Sequence, residues 1–176
     1  MRNIDHMEPI TTLAAYVAPK VGDLLWKGAT EQVKKTLNKT DIEKAIAAGL
    51  KAAEDWEKKQ HLARKGLFYR VKGDGWNGSP KFLEGVLADS GVQAELQKPL
   101  SNQGQPQIEF LQKVFEREAE ASKLNLDLNY LVPWIEQFVK TYFEKTSTFI
   151  RFQVNKENYF KQLANWFDDV KNVDHI

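Results

Sequence analysis

Gly73-Asp74-Gly75-Trp76-Asn77-Gly78 is the stretch whose spacing matches a chemical motif, G-x-G-x-x-G. In that motif the glycines let backbone amides approach a pyrophosphate at a helix N-terminus, and an acid farther along, for which Glu95 is placed, holds the ribose. The chemistry needs a βαβ unit with a second parallel strand. Only Leu67-Phe68-Tyr69-Arg70-Val71 is strand-like, and Gly91-Val92-Gln93-Ala94 ahead of Glu95 is not. An isolated strand cannot build that sheet, so an ordinary glycine-rich loop is expected at 65–78.

The second candidate is electrostatic. Lys58, Lys59, Arg64, Lys65, Arg70 and Lys72 fall within 58–72 without an acid, and Phe68 and Tyr69 are interleaved. Cations with aromatics can grip a phosphate backbone or a single strand. The same cations at a helix C-terminus would satisfy orphan carbonyls and complement the helix dipole. With 25 basic residues against 24 acidic, the summed field gives little steering, which argues against nucleic acid. Trp76 is a candidate partner anchor, although a large aromatic in such a loop more often covers the core.

Glu116, Glu118 and Glu120 on one helix, with Asp168 and Asp169 on another, could pair as acid and base or as metal ligands. A di-metal bundle would also need Glu-x-x-His, which is absent. His6, His61 and His175 are scattered, with no H-x-x-x-H spacing. No serine sits in G-x-S-x-G, and no G-x-x-x-x-G-K-S/T phosphate loop occurs. Zero cysteines exclude disulfides and cysteine nucleophiles and fit a reducing cytosolic setting. No enzymatic activity, cofactor, metal or small-molecule substrate is therefore expected.

The elements that would position these residues are helices. Ile10, Leu13, Ala14, Val17, Val21, Leu24 and Leu25 form a stripe over 9–29, with a kink or two short helices expected at Pro19. The first apolar stretch, Pro9 to Pro19, is too short to span a bilayer, and 1–8 is expected to be disordered. This N-terminal helix could pack on the bundle or be released to perturb a membrane, and packing is favoured because its polar face is not markedly basic. Thr40-Asp41-Ile42-Glu43 reads as a capping box opening a helix to about Arg64, with Ala45, Gly49, Ala52 and Ala53 as a small-residue seam. Ser79-Pro80 restarts helix, Gly91 stops it, and a short helix follows near Val92 to Gln97. Pro99 to Pro106 is a mobile connector by composition, and Ile108, Leu111, Phe115 and Ala119 form another stripe. Two strong helices end the chain, about Tyr130 to Thr146 and Asn155 to Lys171, with an irregular run between them. The expectation is an all-α, single-domain bundle of six to eight helices, with 40–172 as its body.

The run Tyr142 to Val154, then Tyr159-Phe160-Lys161-Gln162-Leu163 and Phe167-Asp168-Asp169-Val170-Lys171, resembles the helical N-terminal region of bacterial, often cyanobacterial, NACHT-type STAND NTPases. Gly91 to Leu100 is similar to the same region, so the likeness covers about 67–173. The resemblance implies a cytoplasmic signalling or effector-side module, in prokaryotic immunity, preceding an NTPase that switches between closed and oligomeric states. Its partners would be that NTPase domain or copies of itself, with a membrane surface as the alternative. Lacking the phosphate loop, the chain inherits no ATP site. Arg151, Asp168 and Asp169, with Trp76, are the candidate interaction residues.

Overall fold

Ile42, Ala45, Ile46, Gly49, Leu50 and Ala53 recur at helical spacing, and all are buried on one face of a central helix. A computed structural model describes residues 2–60, 67–68 and 78–174, with side chains over 13–60, 67–68 and 80–171. Within them the chain forms seven helices and no strand: α1 (Arg2–Gly28), α2 (Glu31–Thr36), α3 (Lys39–Lys59), α4 (Gly78–Ala88), α5 (Ser90–Leu100), α6 (Ile108–Ala121) and α7 (Leu128–Asp174). The all-α bundle expected from periodicity is the observed architecture.

Helix α3 packs most extensively against α7 and α1, while α4 bridges α1 and α6, and α5 lies against α7. The small-residue seam permits this. A Cβ built on Gly49 would stand 2.8 Å from Phe138 Cδ1 and 2.9 Å from the Phe138 carbonyl oxygen on α7. Only a residue without a side chain admits that approach. Around the crossing, Phe68, Phe82, Phe115, Trp134 and Phe138 form a continuous aromatic cluster with centroid separations of 4.9–6.2 Å. Phe138 then stacks on Tyr142, whose hydroxyl donates a 2.7 Å hydrogen bond to the Leu96 carbonyl on α5. Burial pushes the Tyr142 phenol far above its ordinary pKa, so it stays a donor.

Several boundaries differ from the sequence expectation, for identifiable reasons. Helix α1 begins at Arg2, so 2–8, expected to be disordered, is helical. Its helical run is unbroken through Pro19, and the chain does not divide there into two helices. Val17, Ala18, Val21 and Leu25 are buried on either side of that proline. Each large apolar side chain removed from water contributes about 1.5–3 kcal/mol, enough together to outweigh the roughly 3 kcal/mol cost of an interior proline. Helix α2 was not foreseen; the Thr30 hydroxyl accepts from the Val33 amide at its start, and Val33 and Leu37 anchor it.

The capping box of α3 forms two residues earlier than expected. Asn38 Oδ1 accepts from the Asp41 amide at 2.8 Å, and Asp41 Oδ2 accepts from the Asn38 amide at 3.3 Å. The reciprocal chemistry is the same, with Asn and Asp in the roles assigned to Thr40 and Glu43. Helix α3 ends at Lys59, short of Arg64. Helix α4 starts at Gly78 and carries Ser79 and Pro80 in its first turn, where a missing amide is tolerated. Helix α5 is longer than expected because Asp89, ahead of Gly91, caps it through the Gly91 and Val92 amides at 3.0 and 3.1 Å. Arg117 Nη2 donates to Asp89 Oδ1 at 2.7 Å, tying α6 to that cap. Burial acts to raise the Asp89 pKa, but Arg117 and the two amides prevail and hold it below the usual carboxylate range.

The largest departure is at the C-terminus. The two predicted helices and the irregular run between them are one continuous helix, α7, 47 residues long. Thr146 and Thr148, which read as helix breakers, turn their hydroxyls back onto the helix. Thr146 Oγ1 donates to the Tyr142 and Phe143 carbonyls at 3.0 and 2.9 Å, and Thr148 Oγ1 to the Glu144 carbonyl at 2.9 Å. Such back-bonding satisfies the hydroxyls without leaving the helix. Pro133, expected in the first turn, lies beyond it because α7 starts at Leu128, so the helix forgoes the amide that would bond back to the Asn129 carbonyl.

Candidate functional site

Helix α7 extends about 70 Å at 1.5 Å per residue, whereas α3, its main partner, extends about 32 Å. The length mismatch decides what is covered. Leu131, Trp134, Ile135, Phe138, Val139 and Tyr142 in the first half are all buried. Phe149 and Ile150 are half-buried at the edge of the core, and Ile150 and Val154 line a small recess with Val33, Thr36 and Leu100. Beyond that point the helix leaves the bundle.

The projecting half is strongly apolar on one side. Phe152, Tyr159, Phe160, Trp166 and Phe167 are 55–61% exposed, and Val170 is 40% exposed. At 100° per residue these six and Leu163 fall within an arc of roughly 120°, the width of a core-facing stripe. Five large aromatics, each offering more than half its surface to water, make a patch of about 600 Å² from per-residue burial areas of 150–250 Å². That is the upper edge of what isolated proteins leave uncovered.

The candidate interaction residues Arg151, Asp168 and Asp169 are exposed on this segment, off the stripe and on a helix instead of a loop. Trp76, Arg64, Lys65, Arg70 and Lys72 lie outside the described residues, as do His61, His175 and 73–77 of the glycine motif. Lys58 and Lys59 are exposed in the last turn of α3, where cations complement the helix dipole. Phe68, counted as a stacking surface for bases, is instead 4% exposed inside the aromatic cluster. Glu95, considered for a ribose, does structural work. Its Oε1 accepts from Lys98 Nζ at 2.9 Å and from the Gln107 amide at 2.7 Å, capping α6, whose own N-cap side chain makes no such bond.

The acids do not assemble. Among the described residues no group of three or more His, Asp and Glu could hold a metal. Glu116, Glu118 and Glu120 stand on α6, with Glu118 paired to Arg117, and Asp168 and Asp169 on the projecting half of α7. The most perturbed carboxylate is Glu54, in a cleft of about 320 Å³ between α1 and α3 lined by Ala14, Ala47, Ala48, Lys51, Asp55 and Lys58. Burial raises its pKa to about 7; Lys58 opposes this, Glu57 and Asp55 reinforce it, and Lys51 opposes it. Burial also raises the Glu57 carboxyl, although its Oε2 accepts from the Leu67 amide at 3.2 Å. The Trp134 indole lies beside Glu57 and lowers it further, but its Nε1 falls short of hydrogen-bond geometry. Burial is thus the dominant influence on both Glu54 and Glu57, and it makes the stability of the bundle depend on pH.

Among the described residues no helix is long and apolar enough to cross a membrane. Most of the apolar stripe of α1 is committed to the core, with Leu13, Val17, Val21 and Leu25 at most 5% exposed, while Leu24 is 40% exposed. What the sequence reading missed is the uncovered state of Phe152, Tyr159, Phe160, Trp166, Phe167 and Val170. The signal that could have found it is their seven-residue spacing together with the absence of a second helix long enough to cover them. In comparison with known proteins, the family model described as NACHT N-terminal helical domain 2 matches residues 13–173. No curated protein and no solved structure matches the chain.

Proposed function

The chain belongs to the family of the NACHT N-terminal helical domain 2, and from that premise we propose that it is a non-catalytic interaction module of a larger NACHT protein. The bundle serves as a rigid base, and the projecting half of α7 is the contact element. One observation carries the reading: an apolar stripe of five aromatics held clear of the core on a continuous helix. Leaving that surface in water is unfavourable, and helix-face packing against another protein surface relieves it. The partner class is the NTPase region of the same parent protein or a copy of this chain, and the role is cytoplasmic signalling, in prokaryotic immunity.

The stripe also ranks the competing readings. A membrane-perturbing α1 would have to give up the burial of Leu13, Val17, Val21 and Leu25, and a nucleic-acid grip at 58–72 would have to work without Phe68. The test is binding of the chain to the NTPase region of its parent. Truncating two central aromatics with Phe160→Ser and Phe167→Ser is expected to weaken binding by about 100-fold or more, since buried aromatic anchors are worth at least about 2 kcal/mol each. Lys58→Glu with Lys59→Glu is expected to leave it unchanged. Equal affinity of the aromatic variant and the parent sequence would refute the proposal.

A further inference from the structure

The exposed stripe of α7 has a seven-residue register. Phe149, Lys156, Leu163 and Val170 occupy one position of the repeat and Phe152, Tyr159 and Trp166 the position three residues later, with Phe160 and Phe167 following the latter. These are the a, d and e positions of a coiled-coil seam. Read backwards, the register passes an exposed d-position Lys145 and resumes in the bundle as Tyr142, Phe138, Ile135 and Leu131, the side chains that α3 and its neighbours already cover. The uncovered stripe is therefore the continuation of an established helix–helix interface. A strict seven-residue repeat drifts about 20° per heptad on a straight helix, which calls for a second helix wound around it.

Lys156 identifies that second helix. It is the one cation at an a position of the projecting half. Parallel pairing with a second copy would place two Lys156 ammonium groups in the same layer, an unfavourable like-charge contact. Antiparallel pairing centred on residue 161 sets Lys156 opposite Trp166 of the second copy and beside its Asp169, supplying a ring face and a carboxylate. The same alignment sets Tyr159 against Leu163 and Phe152 against Val170, and brings the two Phe160 positions within about 3 Å of each other along the axis. We propose that the projecting half of α7 pairs antiparallel with the same segment of a second copy of this chain. The pairing deepens the interaction reading and rests on it. The area fits, since the aromatic patch of about 600 Å² with Leu163 and Val170 approaches the roughly 800 Å² per partner of a standard stable interface.

The chain has no cysteine, so single introduced cysteines report the geometry cleanly. In the antiparallel pair, Gln162 comes within about 3 Å of its own copy along the axis at the edge of the seam, whereas the two Asn155 positions lie about 18 Å apart. Gln162→Cys is expected to form a disulfide dimer under mild oxidation and Asn155→Cys to remain monomeric. An equimolar mixture of Asn155→Cys and Asp169→Cys is expected to cross-link. Sedimentation equilibrium of the unmodified chain should give twice the monomer mass. Tyr159→Glu with Leu163→Glu should raise the dissociation constant at least 100-fold while helicity and melting of the bundle hold, and Lys156→Leu should tighten the pair. A chain that stays monomeric at hundreds of micromolar, or cross-links at Asn155 as readily as at Gln162, overturns the pairing. So does a monomer captured by anionic vesicles through the same face, which would assign the stripe to lipid. A monomer that still binds the NTPase region through Phe160 and Phe167 overturns the pairing alone and leaves the broader interaction reading standing.

Discussion

Gly49→Ala adds one methyl group at the closest approach of α3 and α7 and tests the packing on which the projecting helix depends. The new Cβ would lie 2.8 Å from Phe138 Cδ1, 2.9 Å from the Phe138 carbonyl oxygen and 3.0 Å from Cε1. Ordinary carbon contacts begin near 3.5 Å, so the helices must separate by about 0.6 Å or more. A ring could rotate away, but a backbone carbonyl of α7 cannot. Overpacking of this kind costs about 1–3 kcal/mol, and the upper half of that range applies where backbone is struck. Alanine returns about 1 kcal/mol through its better helix propensity. The net expectation is a loss of about 1–2 kcal/mol, a fall in melting temperature of about 2–8 °C for a chain of this size. Gly85→Ala on α4 is the internal control, because its Cβ would meet nothing within 4 Å. There the propensity gain stands alone, and melting is expected to rise by about 2–4 °C. Urea titration followed by far-UV circular dichroism measures both. Equal or greater stability of Gly49→Ala would refute the close α3–α7 approach.

Three further outcomes follow from the same geometry. Glu54 has a folded pKa of about 7, raised by burial above the ordinary carboxylate value, so the native state holds a proton that the unfolded state releases. Its contribution is fully present below about pH 4.5 and is lost as the pH rises to about 7 and beyond, worth about 1–3 kcal/mol after allowance for partial solvent screening. Chemical denaturation at pH 5 and pH 8 should show that decline, and Glu54→Gln should flatten it. Glu95→Ala removes the Lys98 pair and the cap on the Gln107 amide and should cost about 1–2 kcal/mol, read from the same titrations. Tyr142→Phe deletes the buried bond to the Leu96 carbonyl and should cost about 1 kcal/mol with helicity unchanged.

Most of the bundle was legible because its causes are local. Apolar residues at three- and four-residue spacing mark α1, α3 and α6, and the Gly49 seam announced a close helix contact before any neighbour was known. The failures share a different cause, since each depends on what lies across the fold. Phe68 sits in a segment that reads as strand and basic patch, yet Phe82, Phe115 and Trp134 draw its ring into the core. Thr146 to Asn155 lost its helical reading because hydroxyl side chains count against a helix on average, whereas here they bond back to it. The uncovered face of α7 is not legible in the sequence because periodicity reports that a face is apolar without saying whether a partner reaches it. Only the lengths of α3 and α7 together reveal that none of the described helices does.

Hydroxyl-radical footprinting of the chain, dilute and monomeric and then assembled with the NTPase region of its parent or with itself, tests the central claim most directly. Phe152, Tyr159, Phe160, Trp166 and Phe167 should oxidise readily in the dilute chain and become protected on assembly. Phe115, Trp134 and Phe138, each at most 1% exposed, should stay unreactive in both states. Unchanged reactivity of the five exposed aromatics on assembly, or their protection already in the dilute monomer, would contradict a projecting helix built for contact.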